Sequence, residues 1–390
     1  MGSDVIPFSR PVVAPEASAA LERVLTSGWL TTGPECAAFE EEFAAWVGAR
    51  HAAAVSSCTA AIEISLRGLR LPPGSRVLVP TITFCGVVEA VLHAGLVPVL
   101  TDVDPASGLA TPGTTAAAAR DCGGADALVV LHYAGCPVEV EALADAAGVP
   151  LSRVVEDAAH ALGTWVGDRQ VGSISQATCF SFYATKNLPI GEGGMITTDD
   201  GELDGWVRST RLHGMSRDAW RRYLPGGAWR YSVEQDGMKA NLSDVHAAIG
   251  RVGLRHLADW QQRRSEIASR YAAALGDAHG LALPWVPDRG RHAWHLYPLR
   301  VQPDFPMTRD ALVAHLGNRG IGTSVHFIPV HQLPYLRTQS VVPHSGLAGA
   351  DSIFDELLSL PMSAGLTDQE VDAVCAAVLE VAARNESVEV

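Results

Sequence analysis

The stretch CFSFYATKNLPIGEGGM, residues 179–195, holds one amine, Lys186, between an aromatic run and a cluster of glycines. Phe180 and Phe182 alternate within residues 178–182, which read as a buried strand, so Lys186 falls just past a strand end. Between Cys179 and Glu192 it is the only charged residue. A folded core gains nothing from a lone amine there. Apolar surroundings disfavour its charged form, and a neutral amine is a nucleophile able to form a Schiff base. Gly191, Gly193 and Gly194 would let backbone approach something bulky. Most lysines in proteins simply point into solvent; the flanking residues argue against that role here.

Outward from this stretch, short apolar runs alternate with amphipathic ones. Residues 51–55, 76–80, 97–103, 127–132, 154–155 and 194–198 read as strands, and 84–94 as a helix. The alternation predicts an α/β fold with a mostly parallel central sheet covered by helices, whose sites gather at the carboxyl ends of the strands. After Asp244 the pattern changes. A long helix over 241–274 is expected, then strand-like runs at 294–301 and 322–328 around a helix at 308–319. Thr367-Asp-Gln-Glu370 is a capping box for a last helix through Ala383. The expected division is a large domain over 1–250, with the N-terminal segment, and a small C-terminal α+β domain over 251–390. Residues 215–237, rich in Trp, Arg and Gly, form an excursion too long for an ordinary connector.

The chain has 390 residues, 47% of them hydrophobic, enough to bury cores for two domains. With 43 acidic against 29 basic residues its formal charge is −14, which argues against nucleic acid or an anionic membrane as the main partner. The N-terminus lacks an apolar core of signal-peptide length, and no apolar run reaches the ~18 residues of a membrane span. A soluble, cytoplasmic protein is expected. The seven cysteines are scattered and never form CxxC, which speaks against disulfides and a zinc site, and no metal is expected.

Three further groups could do chemistry. In Val154-Val-Glu-Asp-Ala-Ala-His-Ala161, Asp157 ends an apolar strand and can aim a carboxylate into a cleft. A pyridoxal phosphate ring needs such a carboxylate at its nitrogen, to keep the ring protonated and able to accept electrons. His160 could face the same ring. An acid after a strand is more often a helix cap, a role compatible with the first. Ser56-Ser-Cys-Thr-Ala-Ala-Ile-Glu63 runs from a strand into a helix whose free amides and hydroxyls form a phosphate cradle; such caps also begin many helices that bind nothing. Phe84, after Pro80-Thr-Ile-Thr83, is either a core ring or a face to stack on a planar cofactor.

In this order and spacing the sequence resembles the DegT/StrS family of pyridoxal-phosphate-dependent nucleotide-sugar aminotransferases over nearly its whole length. The resemblance is carried by Ser27-Gly-Trp-Leu-Thr-Thr-Gly-Pro34, Ser57-Cys-Thr-Ala-Ala61, Pro80-Thr-Ile-Thr-Phe84 and Glu156-Asp-Ala-Ala-His160. Phe180-Ser-Phe-Tyr-Ala-Thr-Lys-Asn187, Gly191-Glu-Gly-Gly194 and Lys239-Ala-Asn-Leu-Ser-Asp244 complete the set. It implies the aspartate-aminotransferase-like fold type I and a homodimer with composite sites. Lys186 would carry pyridoxal 5'-phosphate as a Schiff base and then move the proton between substrate and cofactor carbons. Asp157 would pair with the ring nitrogen. His160 would touch the ring oxygen, where many members have Gln, and Phe84 would stack on the ring. Thr59, Ala60 through its amide, and Ser181 would hold the phosphate, joined by Asn241 from the second subunit.

Lys186 also separates chemistries, because the sugar 3-dehydratases that resemble this group carry His there; lysine favours transamination. Leu131-His-Tyr-Ala-Gly-Cys-Pro137, His160 and the 215–237 segment look most like the branch acting on 4-keto sugars, which includes enzymes making 4-amino-4-deoxy-L-arabinose and 4-amino-4,6-dideoxyhexoses. The implied reaction is ping-pong: L-glutamate leaves as 2-oxoglutarate with pyridoxamine 5'-phosphate retained. A nucleotide-linked 4-keto-6-deoxyhexose, expected as a dTDP sugar such as dTDP-4-keto-6-deoxyglucose, then takes the amino group. Such deoxysugars belong to natural-product (antibiotic) or cell-surface sugar biosynthesis. His326, in Val325-His-Phe327, could bind the donor carboxylate or the sugar diphosphate, or be a structural histidine. Trp29, Tyr183 and Trp229 are candidates for the sugar pocket, against packing roles for each. Two rivals remain: a family member acting on a C3 keto sugar or a keto-cyclitol, and a regulatory protein that keeps the fold without catalysis.

Overall fold

The structure, a computed structural model, describes residues 5–215 and 230–383. Its centre is a seven-stranded sheet. In chain order the strands are β1 (His51–Val55), β2 (Arg76–Pro80), β3 (Val97–Thr101), β4 (Ala127–Leu131), β5 (Val154–Asp157), β6 (Ala177–Ser181) and β7 (Gly194–Thr198). They lie in the order β1-β7-β6-β5-β4-β2-β3. The β2/β3, β2/β4, β4/β5 and β5/β6 pairs are parallel, whereas β7 runs antiparallel to both β6 and β1.

These strands read as continuous apolar runs because both faces are covered. Ala52, Ala54, Leu78, Leu128, Val130, Val154 and Phe180 pack into the core on one face. Their neighbours Ala53, Val55, Val77, Val79, Val129, Val155 and Cys179 pack into the core on the other. The alternation of strand side chains thus divides each run between two layers of helices.

β1 is an edge strand, and an ion cluster holds it. Glu40, on the helix Pro34–Val47 and only 5% exposed, accepts the Ala54 N–H at 2.9 Å and pairs with Arg211 and with Arg208 (2.6 Å). The two arginines also donate to the Ala52 and Ala54 carbonyls. Burial pushes the Glu40 carboxyl up, but the charges of Arg211 and Arg208 outweigh it and hold it below its ordinary value. The folded chain therefore binds this proton less readily than the unfolded one. Glu40 stabilises at neutral pH, and its contribution is lost as the pH falls below about 4. Glu40→Gln leaves Arg211 buried without a carboxylate and should cost about 3–5 kcal/mol at pH 7. Urea unfolding at pH 7 and pH 4 checks this: the deficit should shrink at the lower pH.

The second core lies on a three-stranded antiparallel sheet, β8 (Leu281–Ala282), β9 (Tyr297–Val301) and β10 (Leu357–Leu360), in that order. Tyr271, Tyr297, Leu312 and Val378 are buried against it. The helix Asp244–Leu275 runs through residue 250 and serves both cores, with Leu254 and Leu257 in the first and Ile267 and Tyr271 in the second. The N-terminal segment lies on the small sheet's side. Ile6 bridges Ile321, and Arg10 pairs with Glu370 at 2.7 Å. The capping box at Thr367 and Glu370 forms as expected. Among the described residues no helix is long and apolar enough to cross a membrane.

Two expected strands are altered. Residues 322–328 do not form a strand: after a single bridge from Ser324 to Ser359, the chain leaves the sheet. Tyr133 Oη donates to the His326 carbonyl (2.6 Å) and Val330 N–H to the Thr81 carbonyl (2.8 Å), which draws the segment across to the large sheet. The other run begins at Tyr297 instead of 294, because the His295 and Leu296 amides are both taken by the Ala134 carbonyl. Each departure carries a histidine toward the same place.

Candidate active site

β5, β6 and β1 deliver their carboxyl ends to one edge of the sheet. Asp157 is the last residue of β5, in register with Leu131 on β4 and Cys179 on β6. Ser181 ends β6, and two residues beyond β1 Ser57 caps the helix Cys58–Gly68. A turn closed by the Lys186 N–H on the Tyr183 carbonyl (2.9 Å) brings Lys186 back over the end of β6. Above this edge opens a cavity of about 410 Å³, lined by Lys186, Asp157, His160, Thr59, Ser181 and Phe84. Tyr183 and His326 line it as well.

Other predicted residues lie elsewhere. Ala60 is buried behind the cavity wall with its amide donated to Ser57 Oγ at 3.1 Å. Asn241 and Trp29 meet at Thr32, and neither lines this chain's cavity. Asn241 Nδ2 donates to Thr32 Oγ1 at 2.6 Å, the Trp29 indole N–H to the Thr32 carbonyl at 3.1 Å, and Lys239 bonds Asn241 Oδ1. Trp229 lies outside the described residues.

Burial pushes the Lys186 amine down to about 8, against the upward pull of Asp157 and Cys58. At pH 7 roughly a tenth of it is therefore neutral, far more than for an exposed lysine. Burial raises the Asp157 carboxyl, while the Ala159 N–H and the Lys186 charge pull it back. No helix starts at Asp157: its Oδ1 takes the Ala159 N–H at 3.0 Å and the Cys58 thiol at 3.7 Å. Its Oδ2 takes no hydrogen bond among the described residues, which leaves a carboxylate oxygen for a donor in the cavity.

The start of the helix Cys58–Gly68 lines the cavity beside Asp157. The Cys58 and Thr59 N–H groups have no partner among the described residues, and Thr59 adds a hydroxyl. Two glycines make this cradle possible. A Cβ on Gly86 would lie 2.7 Å from Thr59 Oγ1, and one on Gly194 would lie 2.6 Å from the Ser57 carbonyl carbon. The expectation that the glycines after Lys186 make room for a ligand is thus revised at Gly194. Gly194 makes room for the backbone of the cradle, and Gly193, which does line the cavity, also makes room for the Ile190 and Leu242 side chains. The reason is the reversed strand β7, which lies directly against the helix start.

Among the cavity residues missed in the sequence are three rings. Phe8 stacks on His326 at 5.3 Å, Phe327 stacks on His160 at 5.8 Å, and His295 lies with its ring 4.4 Å from that of His160. A histidine in an otherwise apolar run was the available signal for His295. Phe84 is 56% exposed, its ring open to the cavity at 6.2 Å from Phe327. His326 is held in place by its Nδ1, which meets Ser359 Oγ at 2.8 Å, and its ring lines the cavity. His160 accepts the Ala134 N–H on Nδ1 at 3.3 Å, so its proton sits on Nε2. Burial, then the Lys186 charge, hold the His160 and His295 imidazoles well below their usual range and His326 at about 4. All three are neutral at pH 7.

A half-buried amine, a carboxylate with a free oxygen, an open helix N-terminus and an exposed aromatic ring face one cavity. That set fits a flat, phosphorylated aldehyde whose ring carries a basic nitrogen. The profile of the DegT/DnrJ/EryC1/StrS aminotransferase family matches residues 11–379. The chain belongs to that family. Its relatives include the spore coat polysaccharide biosynthesis protein SpsC of Bacillus subtilis (strain 168), 43% identical over 378 residues, 96% of this chain and 97% of SpsC. The aminotransferase TlmJ from Streptoalloteichus hindustanus shares 32% identity and superposes with a TM-score of 0.87, over 98% of this chain and 100% of that one. The putative sugar aminotransferase Spr1654 from Streptococcus pneumoniae is 26% identical over 97% of this chain and 99% of that one; its PMP and PLP forms superpose with TM-scores of 0.89 and 0.88. The protein is thus a DegT/StrS-family sugar aminotransferase dependent on pyridoxal phosphate, with the α/β fold of those enzymes.

Proposed function

We propose that this DegT/StrS protein moves an amino group from L-glutamate to a nucleotide-linked 4-keto-6-deoxyhexose, giving a 4-amino-4,6-dideoxy sugar, in the cytoplasm. The observation that carries the transaminase reading is the Lys186 amine, held at about 8 in the same cavity as Asp157. Bound there, pyridoxal phosphate supplies a ring that takes up the electron pair left when a substrate C–H bond is broken.

The chain's own residues do the rest. Lys186 Nζ is the attachment point, and once freed it takes the proton from the substrate carbon and returns it to the cofactor side. Asp157 Oδ2 keeps a proton on the ring nitrogen. His160, with its proton on Nε2, donates to the ring oxygen, as the amide of Gln would. Phe84 stacks on the ring, and Thr59, Ser181 and the helix N-terminus hold the phosphate. Ala60's amide would join them by leaving Ser57 Oγ. Asn241 would do so from a second subunit, which agrees with its place beside Thr32, outside the lining of its own cavity. A homodimer with composite sites and the division into a cofactor domain over 1–250 and a small domain over 251–390 belong to the same proposal.

Support for a nucleotide-linked sugar comes from the relatives, SpsC being named for polysaccharide biosynthesis. Support for the 4-keto position comes from residues 131–137, His160 and His326, which resemble that branch. His326, beside Phe8 at the cavity wall, is placed to meet the donor carboxylate or the diphosphate, with Tyr183 nearby. Trp29 and Trp229 stay candidates for the sugar pocket.

Absorbance spectra of the loaded protein test the donor half. L-Glutamate should convert the visible band of the pyridoxal form into the near-ultraviolet band of the pyridoxamine form. Adding dTDP-4-keto-6-deoxyglucose should bring the visible band back. Recovery with a 3-keto sugar or a keto-cyclitol alone would overturn the 4-keto assignment, and a visible band deaf to every amino donor would overturn transamination.

A further inference from the structure

His295 touches the amine of Lys186 and has no role in the reaction as set out above. Its Nε2 lies 3.5 Å from Lys186 Nζ, and its Nδ1 lies 3.1 Å from Asn187 Oδ1. The orientation of Asn187 is settled by its other contacts. Its Nδ2 lies 2.9 Å from the Ala293 carbonyl oxygen and 2.9 Å from Gln261 Oε1. A carbonyl oxygen only accepts, so the NH₂ group faces Ala293 and the amide oxygen faces His295. An amide oxygen also only accepts, so the imidazole keeps its single proton on Nδ1. The lone pair of Nε2 is left pointing at Lys186.

We propose that His295 is a positioning residue for Lys186: with Nδ1–H committed to Asn187, it accepts an N–H of the lysine at Nε2 and aims the amine into the cavity. Its catalytic meaning rests on the reading of Lys186 as the cofactor lysine. A freed lysine ends a flexible four-carbon stem, and a rotamer change carries its nitrogen away from the substrate carbon. Giving one N–H to His295 leaves the amine's lone pair free to take the substrate proton. The arrangement is rigid. The backbone beside His295 is pinned by the Ala293 N–H on the Gly135 carbonyl (2.9 Å), the His295 N–H on the Ala134 carbonyl (2.9 Å) and the Arg264 guanidinium on the Trp294 carbonyl (3.0 Å). His160, 4.4 Å away ring to ring, carries its proton on the other nitrogen. The adjacent, tilted pair thus offers one donor and one acceptor, with separate tasks.

The composition provides the test, since Lys186 and Lys239 are the only lysines in the chain. Full-length protein labelled at lysine Cε and stripped of cofactor should give two titrating carbon signals, and Lys186→Arg identifies the one from Lys186. The groups facing this amine are Asp157, Cys58, His160, His295 and His326, with Arg264 behind His295. His295→Leu removes the acceptor and should lower the proton affinity of Lys186 roughly tenfold, since the charged form loses a charge-assisted bond. His295→Gln, which can place an oxygen near the position of Nε2, should restore most of it. In loaded enzyme, the Leu variant should slow the single-turnover reaction with L-glutamate about 10–100-fold with KM nearly unchanged. Imidazole ¹⁵N spectra of the wild type should show His295 unprotonated at Nε2. A proton on that nitrogen, or an unchanged Lys186 titration in His295→Leu, overturns the inference; the wild-type spectrum decides even where a variant fails to fold. The two readings fail separately. If wild-type enzyme ignores every amino donor while the lysine and imidazole signals behave as expected, transamination falls and the His295–Lys186 arrangement stands.

Discussion

Lys186→Ala is expected to stop turnover, lowering kcat by about 10⁴-fold or more, while the pyridoxamine form of the cofactor stays bound. The substitution removes both the attachment point and the proton carrier, whereas most of the cavity's holding groups stay in place. Phe84, Thr59, Ser181 and the free amides at the start of Cys58–Gly68 do not depend on the lysine. No neighbour can substitute. Burial keeps His160 and His295 neutral, and the Nδ1 of each is committed to the chain, on Ala134 and Asn187. Stopped-flow rates of the glutamate half-reaction and the near-ultraviolet spectrum of the purified variant check the two halves of this expectation. Robust turnover by the variant would sink the assignment of Lys186.

Asp157→Asn is expected to cost about 10²–10⁴-fold in kcat with little loss of fold. An asparagine oxygen can still accept the Ala159 N–H, which Asp157 Oδ1 takes at 3.0 Å, so the turn after β5 should persist. Its amide cannot hold a proton on the ring nitrogen, and the ring then draws electrons poorly. The same variant removes the leading upward pull on the Lys186 amine, whose pKa should fall below about 8. Two measurements separate these effects. The lysine Cε titration reads the amine, and the glutamate half-reaction, followed well above the shifted pKa, reads the ring. Wild-type rates there would mean that Asp157 does not serve the ring nitrogen.

The strands of the large sheet were legible because each is buried on both faces, and burial writes itself locally as an apolar run. Lys186 stood out as a single amine where the apolar pattern of β6 stops. Asp157 was legible for the same reason at the end of β5, and Ser57–Thr59 as the cap of an amphipathic helix. The resemblance of these segments to one family added the cofactor and the reaction class. The antiparallel course of β7 was not legible, since an apolar run carries no direction and pairing is settled only between distant segments. Nor was the loss of the 322–328 strand, which follows from hydrogen bonds made to Tyr133 and Thr81.

By itself, then, the sequence determined the α/β class, the amine, the carboxylate, the capped helix start at Ser57 and the family. Tertiary structure alone decided what surrounds the amine. His295 comes from a segment 109 residues beyond Lys186, and Phe8 from the far N-terminus. The tautomers of His160 and His295 depend on which backbone carbonyl or amide happens to face each ring, Ala134 for one and, through Asn187, Ala293 for the other. Local patterns record how much of a side chain is hidden. Which atom it meets is set by chain closure over long separations, and the chemistry of a neutral imidazole turns on that atom.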